Sequence, residues 1–130
     1  MRISRSTGYA LLAVGYIAKN QDKKTILSQD ISKEYDIPLE YLLKILQQLV
    51  RANVLHSKRG PRGGFSLAKP TKQITMLEMI EAVDGPISGQ LHISEQAGRE
   101  KFSVRTEQVY EKAIAQARNI LEKAKLSSLL

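Results

Sequence analysis

Seven consecutive residues, Lys58-Arg59-Gly60-Pro61-Arg62-Gly63-Gly64, constrain this chain more than any others. Three glycines and a proline exclude a helix, since Gly costs about 1 and Pro about 3 kcal/mol in a helix interior. Three cations make the stretch a poor core segment. On either side lie short β-prone runs, Val54 to Ser57 and Phe65 to Leu67, so the stretch reads as the tip of a hairpin. Glycines permit close backbone approach and arginines supply forked donors, which suits a ribbon laid against phosphates or into a minor groove. Taken alone, the tip reads first as a solubilising turn. A nucleotide-binding phosphate loop is excluded, because no Gly-Lys-Ser/Thr follows and no helix starts there.

The rest of the chain is helical in pattern. A first helix is predicted over Ser6–Lys19, apolar almost all round, hence buried or shared with a partner. Ile26-Leu27 reads as a very short strand. Ser28 is a candidate N-cap for a second helix over Gln29–Tyr35, with Asp30 suiting its positive end. Asp36-Ile37-Pro38 breaks the pattern. A third helix over Leu39–Ala52 carries Leu42, Ile45, Leu46, Leu49 and Val50 on one face. Glu40, Tyr41, Lys44, Gln47, Gln48 and Arg51 occupy the other. Two helices joined by a tight turn form a helix-turn-helix, and a hairpin directly after it reads as the wing of a winged helix. A fourth helix is predicted over Thr75–Asp84, stopped by Gly85-Pro86, then a loop to Lys101. From Val104 the helical period returns, with Val109, Ala113, Ala117, Ile120, Leu121 and Ala124 as one face. Its small residues suit packing across a two-fold axis, the alternative being a terminal helix folded onto its own domain.

A chain of 130 residues, 42% of them apolar, suits one compact domain with an added arm. Charge is unevenly placed. Residues 1–72 hold 13 Lys/Arg against 5 Asp/Glu, whereas residues 73–130 hold 7 against 8. One half is therefore fit to face a polyanion, although acidic lipid or protein would also serve. Cysteine is absent, which excludes disulfides, thiolate nucleophiles and cysteine-held metals. The two histidines are isolated and no nucleophile–base–carboxylate set is visible, so neither enzyme activity nor a cofactor is expected. The apolar run Tyr9–Ala18 is too short to span a bilayer and carries no export pattern, so a cytoplasmic location without membrane contact is expected.

These residues resemble the Rrf-two (BadM-type) family of bacterial winged-helix transcription regulators over nearly the whole chain. The resemblance rests on Met1-Arg2-Ile3-Ser4, Gly8-Tyr9-Ala10, Asp30-Ile31, Tyr41-Leu42 and Leu55. Its most specific part is Arg59-Gly60-Pro61-Arg62-Gly63-Gly64-Phe65, followed by Ile80-Glu81-Ala82-Val83-Asp84-Gly85-Pro86-Ile87. It implies a mostly α fold with a small β-hairpin wing: a winged helix-turn-helix DNA-binding domain over 1–86, a loop over 87–103, and a dimerisation helix over 104–130. It further implies a homodimer on double-stranded DNA, acting as a repressor at a palindromic operator.

Carried over by position, Leu39, Glu40, Tyr41, Leu43 and Lys44 begin the recognition helix, and Arg59 is the wing arginine. The chemistry of the residues is compatible. Lys44 and Gln48 can donate to base acceptors, and Glu40 can accept from cytosine N4 or serve only as a first-turn charge. Ser4, Arg5, Ser28, Arg51, Lys58 and Arg62 suit backbone phosphates. Many members hold an iron–sulfur cluster through three cysteines. Those positions fall here near His92, Ala97 and Ser103, so no cluster is expected. The signal would then come from a protein or small-molecule effector. A different class of function is a protein-interaction module whose C-terminal half binds an enzyme or another regulator, with DNA contact secondary.

Overall fold

The computed structural model describes residues 2–58 and 64–130. Helix α1 spans Arg5–Lys19, α2 Ser28–Tyr35, α3 Leu39–Arg51 and α4 Met76–Asp84. Strands β1 (Leu55–Lys58) and β2 (Gly64–Leu67) pair antiparallel, Leu55 opposite Leu67 and Lys58 opposite Gly64. A short α5 (Ile93–Ala97), a 23-residue α6 (Lys101–Lys123) and a final turn α7 (Leu126–Leu129) complete the chain. No helix among the described residues is long and apolar enough to cross a membrane.

The core forms where the apolar faces of α1, α3 and α4 meet. Ala13, Val14 and Ile17 from α1 pack with Leu42, Leu46 and Leu49 from α3 and Met79 from α4, all essentially sealed from solvent. Local chemistry sets the helix ends. The Ser4 hydroxyl accepts the Thr7 N–H at 3.2 Å and caps α1. Thr75 and Glu78 exchange side-chain and backbone hydrogen bonds in a capping box that starts α4.

The two turns that orient α3 and the hairpin share one device. Asp36, after α2, and Asn53, after α3, are the non-glycine residues with positive φ among those described, at 53° and 61°. Each is followed by an apolar residue whose N–H returns to the helix, Ile37 to the Ser32 carbonyl (3.1 Å) and Val54 to that of Leu49 (3.0 Å). These are Schellman closures with Asp and Asn in place of glycine, each anchored by a buried aliphatic. The Ser32 hydroxyl also donates to the Ile37 carbonyl at 2.5 Å, tightening the helix-turn-helix corner.

Several expectations require correction. Leu27, not Ser28, occupies the N-cap position of α2, and Ser28 is only 8% exposed inside its first turn. The loop expected over 87–103 contains α5, and α6 starts at Lys101. The last helix was expected to run through the final residues, but α6 stops at Lys123. There the backbone turns back: the Met76 N–H donates to the Ala124 carbonyl and the Leu126 N–H to that of Ile74, both at 2.8 Å. Ala124 is thus an extended residue beside the start of α4, and Leu126 is part of the core. The short strand at Ile26 exists as one rung, Ile26 pairing with Phe65.

Candidate nucleic-acid interface

Helix α3 is divided cleanly. Leu42, Ile45, Leu46 and Leu49 are buried, while Leu39, Glu40, Tyr41, Lys44, Gln47 and Arg51 face solvent and Gln48 is half-covered. Helical spacing places Glu40, Lys44, Gln47 and Arg51 along one exposed line, with α2 behind it. None of these residues makes an ion pair among the described residues. Among the described residues, the side chains of Glu40, Lys44, Gln47 and Arg51 have no hydrogen-bond partner either.

Tyr41 is held more firmly than its neighbours. Its hydroxyl hydrogen-bonds the Ser6 hydroxyl at the start of α1, and its ring meets that of Tyr9 edge-on, at 5.7 Å and 89°. The start of α3 is thereby tied to the start of α1. Arg2, Ser4 and Arg5 lie exposed at that same end. Ser6 was not singled out from the sequence, because its partner lies 35 residues away.

The hairpin projects beside α3. Leu55 is buried at its base, whereas His56, Ser57 and Lys58 are exposed. Phe65 and Ile26 exchange N–H···O bonds of 3.0 and 2.8 Å, which fastens β2 to the segment before α2. Gly64 is required there: a Cβ would sit 2.8 Å from the Ile26 carbonyl oxygen. Arg59 and Arg62 lie outside the described residues.

At the far end of α4 two carboxylates bind the termini of the fold together. Glu81 accepts from Arg118 of α6 at 2.6 Å and from the Ile87 N–H at 2.7 Å. Asp84 accepts from the Ser4 hydroxyl at 2.6 Å and from the Ser4 N–H at 3.2 Å. Partial burial pushes the Asp84 carboxyl up, but hydrogen bonds from the Ser4 and Thr7 side chains and the Ser4 backbone together hold it below the usual carboxylate range. On α6, hydrogen bonding by the Ser94 hydroxyl and N–H, with lesser help from Arg99 and His92, likewise holds Glu107 low.

Helix α6 has two apolar lines. Tyr110 and Ile114 turn toward the segment after α4, and Ala117 and Leu121 continue that line, half-buried. Phe102, Val109 and Ile120 are 73%, 70% and 67% exposed, with Ala113 exposed between the last two. The six residues expected to form one face are therefore split: Val109, Ala113 and Ile120 look outward, Ala117 and Leu121 look inward, and Ala124 lies past the helix. Phe102, at the same spacing, was missed.

The positions where a cluster would be held are unsuited to it. His92 is exposed and 3.3 Å from Glu95, Ala97 offers a methyl, and the Ser103 hydroxyl is 1% exposed and turned to Glu100. No three His, Asp or Glu among the described residues converge as metal ligands. These residues do not fit a thiolate-held iron–sulfur cluster.

A profile of the Rrf2 family, described as iron-dependent transcriptional regulators, matches residues 3–130. BadM of Rhodopseudomonas palustris is 42% identical over 80 residues, which cover 62% of this chain and 51% of that protein. The HTH-type transcriptional regulator IscR of Cereibacter sphaeroides is 32% identical over 90 residues, 68% of this chain and 58% of that protein. The matched stretch thus spans about half the length of these curated relatives. Among solved structures, CymR, the global cysteine regulator of B. subtilis, superposes with a TM-score of 0.83 at 22% identity, covering 99% of this chain and 95% of that one. IscR of T. potens gives 0.76 at 22% identity, covering 99% and 85%. Both likenesses show a shared fold.

Proposed function

The chain belongs to the Rrf2 family, transcriptional regulators and not enzymes, and from that premise we propose that it binds a palindromic DNA operator as a homodimer and represses transcription there. The observation that carries this reading is the exposed line of α3, a row of polar side chains without an ion pair among the described residues, beside the wing on the half with eight surplus positive charges. In the proposed complex α3 enters the major groove. Lys44 and Gln48 donate to base edges, Glu40 accepts from cytosine N4, and Leu39 meets a thymine methyl. Tyr41 acts mainly by fixing the helix start. Arg5, Arg51 and Lys58 contact phosphates, which fixes register, whereas Ser4 has its hydroxyl and N–H committed to Asp84. Ser28 is too covered to be a strong member of that set. From the sequence, Arg59 is assigned to the minor groove as the wing arginine and Arg62 to a backbone phosphate.

Residues 1–86 carry the DNA-reading function and α6 carries dimerisation through Phe102, Val109, Ala113 and Ile120, with residues 87–100 joining them. Such a regulator works in the cytoplasm.

Fluorescence anisotropy tests the reading, using a palindrome enriched from random duplexes and a scrambled control. The selected site is expected to bind at least about a thousandfold more tightly, with affinity falling steeply as salt rises. Arg59→Ala is expected to weaken binding by roughly 1–3 kcal/mol. Equal affinity for both duplexes at every salt concentration overturns the specific reading.

A further inference from the structure

A groove between α1, the start of α4 and α7 lies apart from the surface assigned to DNA. Leu11, Met76, Met79 and Leu126 form its walls, and it encloses roughly 340 Å³, within the range of small-ligand sites, about 300–1,000 Å³. Lys19, in the last turn of α1, is the one charged side chain among those that line it. Lys19 makes no ion pair among the described residues. The floor is Gly15. Glycine inside a helix costs about 1 kcal/mol relative to alanine, yet nothing lies within 4 Å of where a Gly15 Cβ would stand. No contact within the chain calls for a glycine there; what it does is keep the groove deep. Two flexible thioethers opposite can reshape to fit an apolar guest.

We infer that this groove binds an amphipathic monoanion, a medium-length apolar tail bearing a carboxylate. The tail lies over Gly15 between Leu11 and the two methionines, and Lys19 receives the carboxylate at the rim. A guest held there touches α1, α4 and α7 together, and so tightens the return of the final residues onto the domain. A cationic guest gains nothing from Lys19.

Methionine methyl resonances report on the site directly. The chain has three methionines, and Met76 and Met79 both line the groove. The full chain, labelled at the methionine methyls, is titrated with octanoate, octylamine and 1-octanol. Octanoate is expected to shift the Met76 and Met79 resonances saturably and to raise Tm, with octylamine doing neither. Lys19→Met should weaken octanoate a few-fold and leave 1-octanol unchanged. A Cβ at Gly15 meets no heavy atom within 4 Å, so Gly15→Leu should keep the fold and, by filling the floor, abolish both. Three results overturn the proposal: no shift with octanoate, equal binding of octanoate and octylamine, or undiminished binding by Gly15→Leu. A Gly15→Leu chain that changes oligomeric mass also overturns it, since the groove would then seat a second copy. No DNA enters the experiment, so its outcome is independent of operator binding.

Discussion

Leu46 and Ile120 are both large aliphatic residues on amphipathic helices, yet Leu46 is wholly buried and Ile120 is 67% exposed. They stand for two regions built on different terms. The winged-helix half closes its own core, and its helix ends are capped by Ser4, Asp36, Asn53 and Thr75. Helix α6, by contrast, has one residue, Ser103, fully buried along its whole length. Part of one face is fixed to α4 through Glu81 and Arg118, and the opposite apolar line meets solvent. This exposed apolar line is the surface that the proposed dimer would cover. The first region is sealed by packing, with Leu126 of the returning final residues included in its core; the second leaves an apolar line open to solvent.

The sharpest way to break that contrast is to place charge on the outward line. Val109→Asp with Ile120→Asp should leave the chain folded and halve its mass in solution, measured by light scattering. Operator affinity should fall by about 10²–10⁴, because two half-sites are no longer joined. Retained dimer mass would show that α6 is not the interface. The complementary change lies in the closed core. Leu46→Ala should cost about 2–5 kcal/mol of unfolding free energy in urea. Ile120→Ala, in a monomeric background, should cost well under 1 kcal/mol, since little area is withdrawn from water there.

The same contrast explains what the sequence could and could not disclose. Helices α1 to α4 and the hairpin are legible because apolar spacing, caps and a glycine-rich tip all point one way. The end of α6 is not. Nothing in Lys123-Ala124-Lys125-Leu126 breaks a helix, and the break arises because Met76 and Leu126 find backbone partners across the fold. The face of α3 can be found by elimination, whereas the Ser6–Tyr41 tie and the Ser32 lock depend on folded geometry. On α6, a small-residue stripe cannot tell an inward line from an outward one when apolar residues occupy both. Positions 92, 97 and 103 needed only the absence of cysteine.

A smaller effect sharpens the account of how the first region closes itself. Thr75 caps α4 at the point where residues 124–126 return, and Thr75→Ala removes an acceptor from the first turn. The expected loss is about 0.5–2 kcal/mol in urea unfolding. Hydrogen exchange should rise at Met76 and Leu126 more than at Leu46. A uniform rise would mean that the return of the final residues is not a separately stabilised feature.

The smallest effect lies at the joint of the two regions. Asp84 ends α4, where the helix dipole disfavours a carboxylate, yet it faces the start of α1, where free N–H groups favour one. Its lowered pKa shows that the Ser4 and Thr7 hydrogen bonds prevail. A carboxyl with a folded pKa below its unfolded value, 3.8 here, stabilises the fold above that pH, and the contribution fades as pH falls through the folded value. Because Asp84 is largely exposed, Asp84→Ala should cost less than about 1 kcal/mol at pH 7. Measured by urea unfolding, the gap between Asp84→Ala and the natural chain should narrow as the pH is lowered from 5 toward 2. A gap unchanged across that range would mean that the carboxylate charge plays no part, and that Ser4 is held by its helix cap alone.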